Sequence, residues 1–246
     1  MKLLLLLLAA LPPQARDVDL DEHLGAPLPL ELAFTDETGQ STTLKAQFSD
    51  GKPVIMVLAY LRCQMLCDLV LRGLVDSLAK SGLRDFRALT VSIDPKDRPA
   101  EARLRKTALL QTLNQPDADW HFLVGDQRSI ARLADRLGFR YVYDPASDQY
   151  AHPAAVFVLT PEGRISRYLY GVRFRPLDVK LALFEASQGK VGTIVERVLL
   201  TCFKWDPASH RYGFVVSGVM KGGAALVGLC VFAGIFYLFR LERRRK

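Results

Sequence analysis

"PVIMVLAYLRCQMLCDLVLRGLVDSLAKSG", residues 53–82, decides the fold. Its opening, Pro53 to Tyr60, is an unbroken apolar run containing Val and Ile, the mark of a strand buried on both faces. Beyond Cys67, apolar residues recur at Leu71, Leu74, Val75 and Leu78, a helical period that Gly82 closes. A buried strand running directly into a helix is the building unit of an α/β protein. Two of the four cysteines, Cys63 and Cys67, stand at the junction.

The same alternation continues outward. "FRALTVSID" reads as a second strand, and "PAEARLRKTALLQTL" as a helix with Pro99 at its start. "WHFLVG" is a third strand, and "SIARLADRLGF" a helix with Ser129 as its N-cap. "AAVFVLTPEGRISRYLYG" reads as two strands turning at Pro161 to Gly163, and "LDVKLALFEASQG" as a further helix. Upstream, "LELAFTDETGQSTTL" predicts a hairpin around Glu37 to Gln40. The expected fold is an α/β sandwich with a mixed central sheet.

The termini predict where this domain works. "MKLLLLLLAALPPQARD" has one Lys, an apolar stretch from Leu3 to Leu11, then turn-forming residues, the pattern of a secretory signal over residues 1–15. Near the other end "GGAALVGLCVFAGIFYLF" is uncharged throughout and, extended back through Lys221 to Phe214, is long enough to span a bilayer over 214–239. "RLERRRK", residues 240–246, has five basic residues and one acidic, so +4 of the formal +7 lies in this tail. A basic flank stays on the cytoplasmic side. The sequence therefore predicts a bacterial inner-membrane protein with its domain facing the periplasm and its C-terminus in the cytoplasm. The positive charge is mostly a topology signal and gives no support to nucleic-acid binding, which is not expected. Residues 191–213 form a juxtamembrane segment. There Ile194, Val195, Val198, Leu199 and Phe203 keep helical spacing, while Trp205 and Tyr212 fit an interfacial belt.

Export bears on the cysteines. In an oxidising compartment Cys63 and Cys67 can pair as a disulfide; a cytosolic pair would more often hold metal or catalyse. On a helical turn, positions i and i+4 share a face, so two thiolates there can approach a disulfide or grip one soft ion. Of the histidines, His121 begins a strand, His23 lies in the N-terminal segment and His210 near the expected span. His152 lies in the loop entering a late strand, where thioredoxin-like folds bring a loop against the cysteine turn. Asp94 reads as a turn residue ahead of a helix. Cys230 is an apolar filler in the expected span, and Cys202 has no assigned role.

Three blocks in order, "CQMLC", "VSIDP" and "DQYAHPAAVFVLTPEGRISRYLYG", resemble the Sco/SenC family of copper-binding, thioredoxin-fold proteins across roughly residues 25–190. "WHFLVGD" and "LADRLGFRYVYD" resemble family blocks too. The resemblance implies a thioredoxin-like sandwich and one copper ion per domain held by Cys63, Cys67 and His152, with Cys63–Cys67 able to form a disulfide. It implies delivery of copper to the binuclear CuA site of cytochrome c oxidase subunit II, or reduction of that site's cysteines. A thioredoxin-like reductant and another copper chaperone are the further partners it implies. Two positions depart from the family pattern: Asp68 stands where proline is usual, and Ala151 where aspartate often precedes the histidine. A carboxylate at Asp68 opposes thiolate formation next door and so bears on redox potential more than on the ligand set. The competing reading is an extracytoplasmic thiol–disulfide oxidoreductase with no part in copper delivery.

Overall fold

The computed structural model describes residues 18–63, 65–115, 117–192, 203–206 and 211–214. The chain divides between Gly192 and Thr193 into two units. The first unit begins with β1 (Asp19–Leu20), β2 (Ala33–Asp36), β3 (Ser41–Thr43) and a short 3-10 helix. Then follow β4 (Val54–Ala59), α1 (Leu66–Ser81), β5 (Arg87–Ser92), α2 (Pro99–Leu113), β6 (Trp120–Val124) and α3 (Gln127–Arg136). It closes with β7 (Phe139–Arg140), β8 (Val142–Asp144), β9 (Gln149–Ala151), β10 (Ala155–Leu159), β11 (Ile165–Tyr170) and α4 (Pro176–Ser187).

Seven strands form one sheet in the order β11-β10-β4-β5-β6-β2-β3. The β4–β5 and β5–β6 pairs are parallel, while β10 and β2 join on either side antiparallel. The sheet is mixed, as the sequence predicts. Every residue of β4 and β10 is buried, which explains why each is apolar without alternation. Thr90 on β5 is buried and polar; its hydroxyl accepts the Trp120 indole N–H at 2.9 Å. Packing of α1 against both α2 and α4 makes the helical layer over the sheet.

Local chemistry sets the helix ends. Gly82 takes the left-handed conformation that stops α1. At α2 the Glu101 carboxylate accepts the Arg98 N–H, with Pro99 in the first turn. At α3 the cap is Asp126, three residues earlier than expected. Its carboxylate accepts the Ser129 N–H at 2.7 Å, so Ser129 is the residue being capped.

Gly73 lets α1 and the loop before α4 meet. A Cβ at that position would lie 2.0 Å from the Val172 carbonyl oxygen, a backbone atom that cannot swing aside. Gly73→Ala is therefore expected to lower stability by about 1–3 kcal/mol. Helix propensity alone would instead raise it by about 1 kcal/mol. The sign of the change in the urea midpoint separates the two.

In the second unit β12 (Phe203–Asp206) pairs antiparallel with β13 (Arg211–Phe214), Trp205 opposite Tyr212. Helical spacing through Phe203 is thus overruled at its end, where Phe203 opens a strand. Phe214, taken as the start of the span, closes one. The expected signal, most of the juxtamembrane helix, residues 215–239 of the span and the basic tail lie outside the described residues. Among the described residues no helix is long and apolar enough to cross a membrane.

Candidate metal centre

β4 delivers the chain at its carboxyl end into the turn that holds Tyr60 and Cys63, and α1 starts at Leu66. Clefts at this end of an α/β sheet are where such proteins bind ligands. Cys67 occupies the first turn of α1, but Cys63 lies ahead of the helix, so the two thiols do not stack on one helical face. The turn brings them together instead. The Cys63 N–H donates to the Tyr60 carbonyl at 3.2 Å, and the Cys67 N–H donates to the Cys63 sulfur at 3.4 Å. His152 arrives from the other side, between β9 and β10, with its Nε2 2.9 Å from the Cys67 sulfur.

The ligand atoms of Cys63, Cys67 and His152 all lie within 4.8 Å of one another, and all three residues are buried. Among the described residues this is the group of histidine, cysteine and carboxylate side chains close enough to share an ion. The His152 Nδ1 sits 2.9 Å from the Pro153 carbonyl, an acceptor only, so Nδ1 carries the proton. That leaves Nε2 with its lone pair directed at the sulfurs. Tyr60 and Phe139 flank the imidazole, with ring centroids 6.2 Å and 5.8 Å away.

The two thiols differ in character. Hydrogen bonds from the Cys67 side chain first, then from the Cys67 N–H, the Tyr60 hydroxyl and the Met65 N–H, pull Cys63 down to about 4 against the cost of burial. Cys67 is pushed up, by its bond to the Cys63 thiolate and by burial. Cys63 is thus the more acidic of the two thiols, and a proton on Cys67 has both the Cys63 sulfur and the His152 nitrogen within reach. A metal ion displacing that proton would meet two sulfurs and one imidazole nitrogen. Soft thiolates select Cu(I) or Zn, and imidazole suits either metal. Structural zinc sites are normally closed by four protein ligands, whereas three converge here. Both cysteines are free thiols.

Asp68, in the position the family pattern gives to proline, is not left facing the thiolate. Its carboxylate is 2.6 Å from Arg72 Nε and 3.5 Å from Arg105 Nη1. Arg105 also donates to the Cys63 carbonyl at 2.7 Å. Asp94 is fully buried and bonded to Arg62, to the Lys96 N–H and to the Tyr150 hydroxyl; it serves the scaffold. His121 is likewise structural, between Asp119 and Glu37, and the His23 ring bonds the Arg136 carbonyl. His210 lies outside the described residues. Sequence reasoning missed Arg62 and Asp148, neighbours of the site whose pairing spans 86 residues. A charged residue placed directly between a buried strand and Cys63 is the signal that could have pointed to the first.

The chain matches the family model described as SCO1/SenC over residues 24–176, more than half its length. No curated protein matches it. A putative electron transfer protein from Aquifex aeolicus VF5 is 27% identical, with TM-score 0.59, over 68% of this chain and 95% of its own. ScoI of Arabidopsis thaliana with copper bound shares the fold at 18% identity and TM-score 0.54, over 67% of this chain and 98% of its own. BsSco, described as a member of the Sco family of cytochrome c oxidase assembly proteins with a disulfide switch, shares it at 23% identity and TM-score 0.51, over 71% and 99%.

Proposed function

Because the chain belongs to the SCO1/SenC family, we propose that it is a membrane-anchored copper carrier that loads the CuA site of cytochrome c oxidase subunit II. The convergence of two cysteine sulfurs and one imidazole nitrogen within 4.8 Å, in a family linked to oxidase assembly, carries this reading. In it copper is cargo. Cys63, Cys67 and His152 hold the ion when the thiols are reduced. Oxidation of the pair by a partner's disulfide, which takes up the two electrons and is itself reduced to thiols, would abolish the site, since thiolate is the ligand and disulfide is not. The predicted export signal and C-terminal span support work at the outer face of a bacterial inner membrane. The test is metal analysis of the reduced chain after copper reconstitution, beside Cys63→Ser. We expect one copper per chain in the wild type and little in the variant. Equal loading of the two would sink the assignment.

A second reading has its own observation, the Cys63 thiolate with Cys67 poised beside it. In thiol–disulfide exchange, Cys63 would attack a partner's disulfide and release one partner thiolate. Cys67 would then displace the other, leaving the Cys63–Cys67 bond oxidised and the partner reduced. That chemistry needs neither His152 nor copper.

A further inference from the structure

Arg62, directly before Cys63, joins three segments. Its Nη1 is 2.8 Å from Asp148, its Nη2 bonds Asp94, and its Nε is 3.8 Å from Asp97. Asp94 and Asp97 are buried and fixed. Asp97 accepts the Leu61 N–H and the Ser92 hydroxyl, and Asp94 accepts the Lys96 N–H. Asp148 is different: it sits in the turn joining β8 and β9, the hairpin that leads straight into His152. It holds a left-handed backbone at φ 51, which is unfavourable for most residues. Its carboxylate also takes the Tyr143 hydroxyl at 2.6 Å and Lys96 Nζ at 3.3 Å. β8 and β9 pair only with each other, so no sheet ladder holds this hairpin; apart from Asp148, Tyr150 anchors it through its hydroxyl on Asp94 and its ring on Tyr60.

The metal-binding sulfurs are buried, and a cleft of about 350 Å³ opens beside them. One wall is Tyr60, Cys63 and Met65 from the cysteine turn; the other is Ser147 and Asp148 from the hairpin. The Arg62–Asp148 bridge ties the two walls together.

We propose that the Arg62–Asp148 pair is a latch. Closed, it positions the hairpin so that His152 faces the two sulfurs. Open, it lets the hairpin and its histidine move off, widening the cleft through which copper leaves. Release through it breaks metal–ligand bonds and transfers no electron within the chain. The latch rests on the copper reading above for its cargo, but the motion it describes does not need metal. Both partners are partly solvent-exposed, which makes the bridge weak enough to open and sensitive to salt.

The test uses the full chain and Asp148→Asn, since asparagine tolerates the left-handed conformation while losing the charge. In metal-free protein the variant should speed amide hydrogen exchange across residues 142–151, with the rest of the domain unchanged. After Cu(I) loading it should pass copper to an excess of a chromogenic Cu(I) chelator roughly fivefold faster. High salt should accelerate release from the wild type and leave the variant nearly unaffected. Asp144→Asn is the control. Asp144 bonds Ala146 and Ser147 within the same turn but is not among the Arg62 partners. Equal acceleration by Asp144→Asn would mean general loosening and would overturn the latch, as would unchanged exchange in Asp148→Asn. If Asp148→Asn proves less stable overall, salt-accelerated release from the wild type decides for the latch and salt-independent release against it. If the wild type takes up no copper, the carrier reading fails, while the exchange measurement still judges the latch.

Discussion

Replacing His152 with alanine is expected to weaken copper binding by at least about a hundredfold, beyond the 10–100-fold typical of losing a group that only supports a ligand. In the copper reading the imidazole would supply one of three donors, and the Nδ1–H bond to the Pro153 carbonyl leaves its Nε2 free for the task. The Cys63–Cys67 pair should still oxidise to a disulfide, because neither sulfur depends on the ring for its place: both are set by the turn and the first turn of α1. Alanine also leaves a gap beside Phe139 and Tyr60, so His152→Phe, which keeps an aromatic ring there, should be made alongside. Affinity is read by competition with a copper chelator, and thiol oxidation by alkylation of the remaining free cysteines. Wild-type affinity in both variants would make His152 a structural residue and move thiol–disulfide exchange ahead of copper carriage.

The second large effect lies far from the metal. Glu37 ends the β2 side of the first hairpin with its carboxylate almost wholly buried. Burial alone would raise its pKa, but bonds from His121, Lys106 and the Phe122 N–H hold it at about 2 against an ordinary 4.5. Glu37→Leu strands the Lys106 ammonium and the Phe122 N–H together. Loss of one partner from a buried charged network costs about 3–5 kcal/mol. Lys106 keeps some access to water, so the lower end, about 3 kcal/mol, is expected. The pH dependence follows from the depressed pKa. Wild-type stabilisation from this group is complete above pH 4.5, the unfolded value, and is lost as pH falls toward 2. Urea unfolding at neutral pH and near pH 3 should therefore show the gap between wild type and variant narrowing on acidification. A gap that widens in acid would contradict this account.

How much could be read in advance follows from where each element gets its order. β4 and β10 are continuous apolar runs, and α1 has a clean period ending in glycine, so each carries its own signal. The β2–β3 hairpin was legible for the same reason, through its Thr38–Gly39 turn. The β8–β9 hairpin was not. Its strands are three residues each and half-exposed, with no buried face to pattern. What orders it are contacts from distant segments, Arg62 and Lys96 on Asp148 and Asp94 on the Tyr150 hydroxyl, and no local window contains that information. The three side chains that converge, Cys63, Cys67 and His152, were singled out by spacing together with resemblance. Their unequal protonation was not, because it depends on which group each sulfur meets. In the second unit, alternating Phe203, Trp205, Tyr212 and Phe214 around "PASH" is a hairpin pattern that the helical spacing just upstream obscured.

Asp68 and Arg105 also constrain how this sequence can change. The aspartate is accommodated beside a thiolate because a guanidinium from α2 meets it and, with the same group, secures the Cys63 carbonyl. Proline at 68 alone would remove the carboxylate that pairs with Arg72 and Arg105, while Arg105 would keep its bond to the Cys63 carbonyl. Losing Arg105 alone would leave Asp68 paired with Arg72 and take the side-chain donor from the Cys63 carbonyl. The two positions share a contact at 3.5 Å, so substitutions at both are expected to be non-additive in a double-mutant cycle.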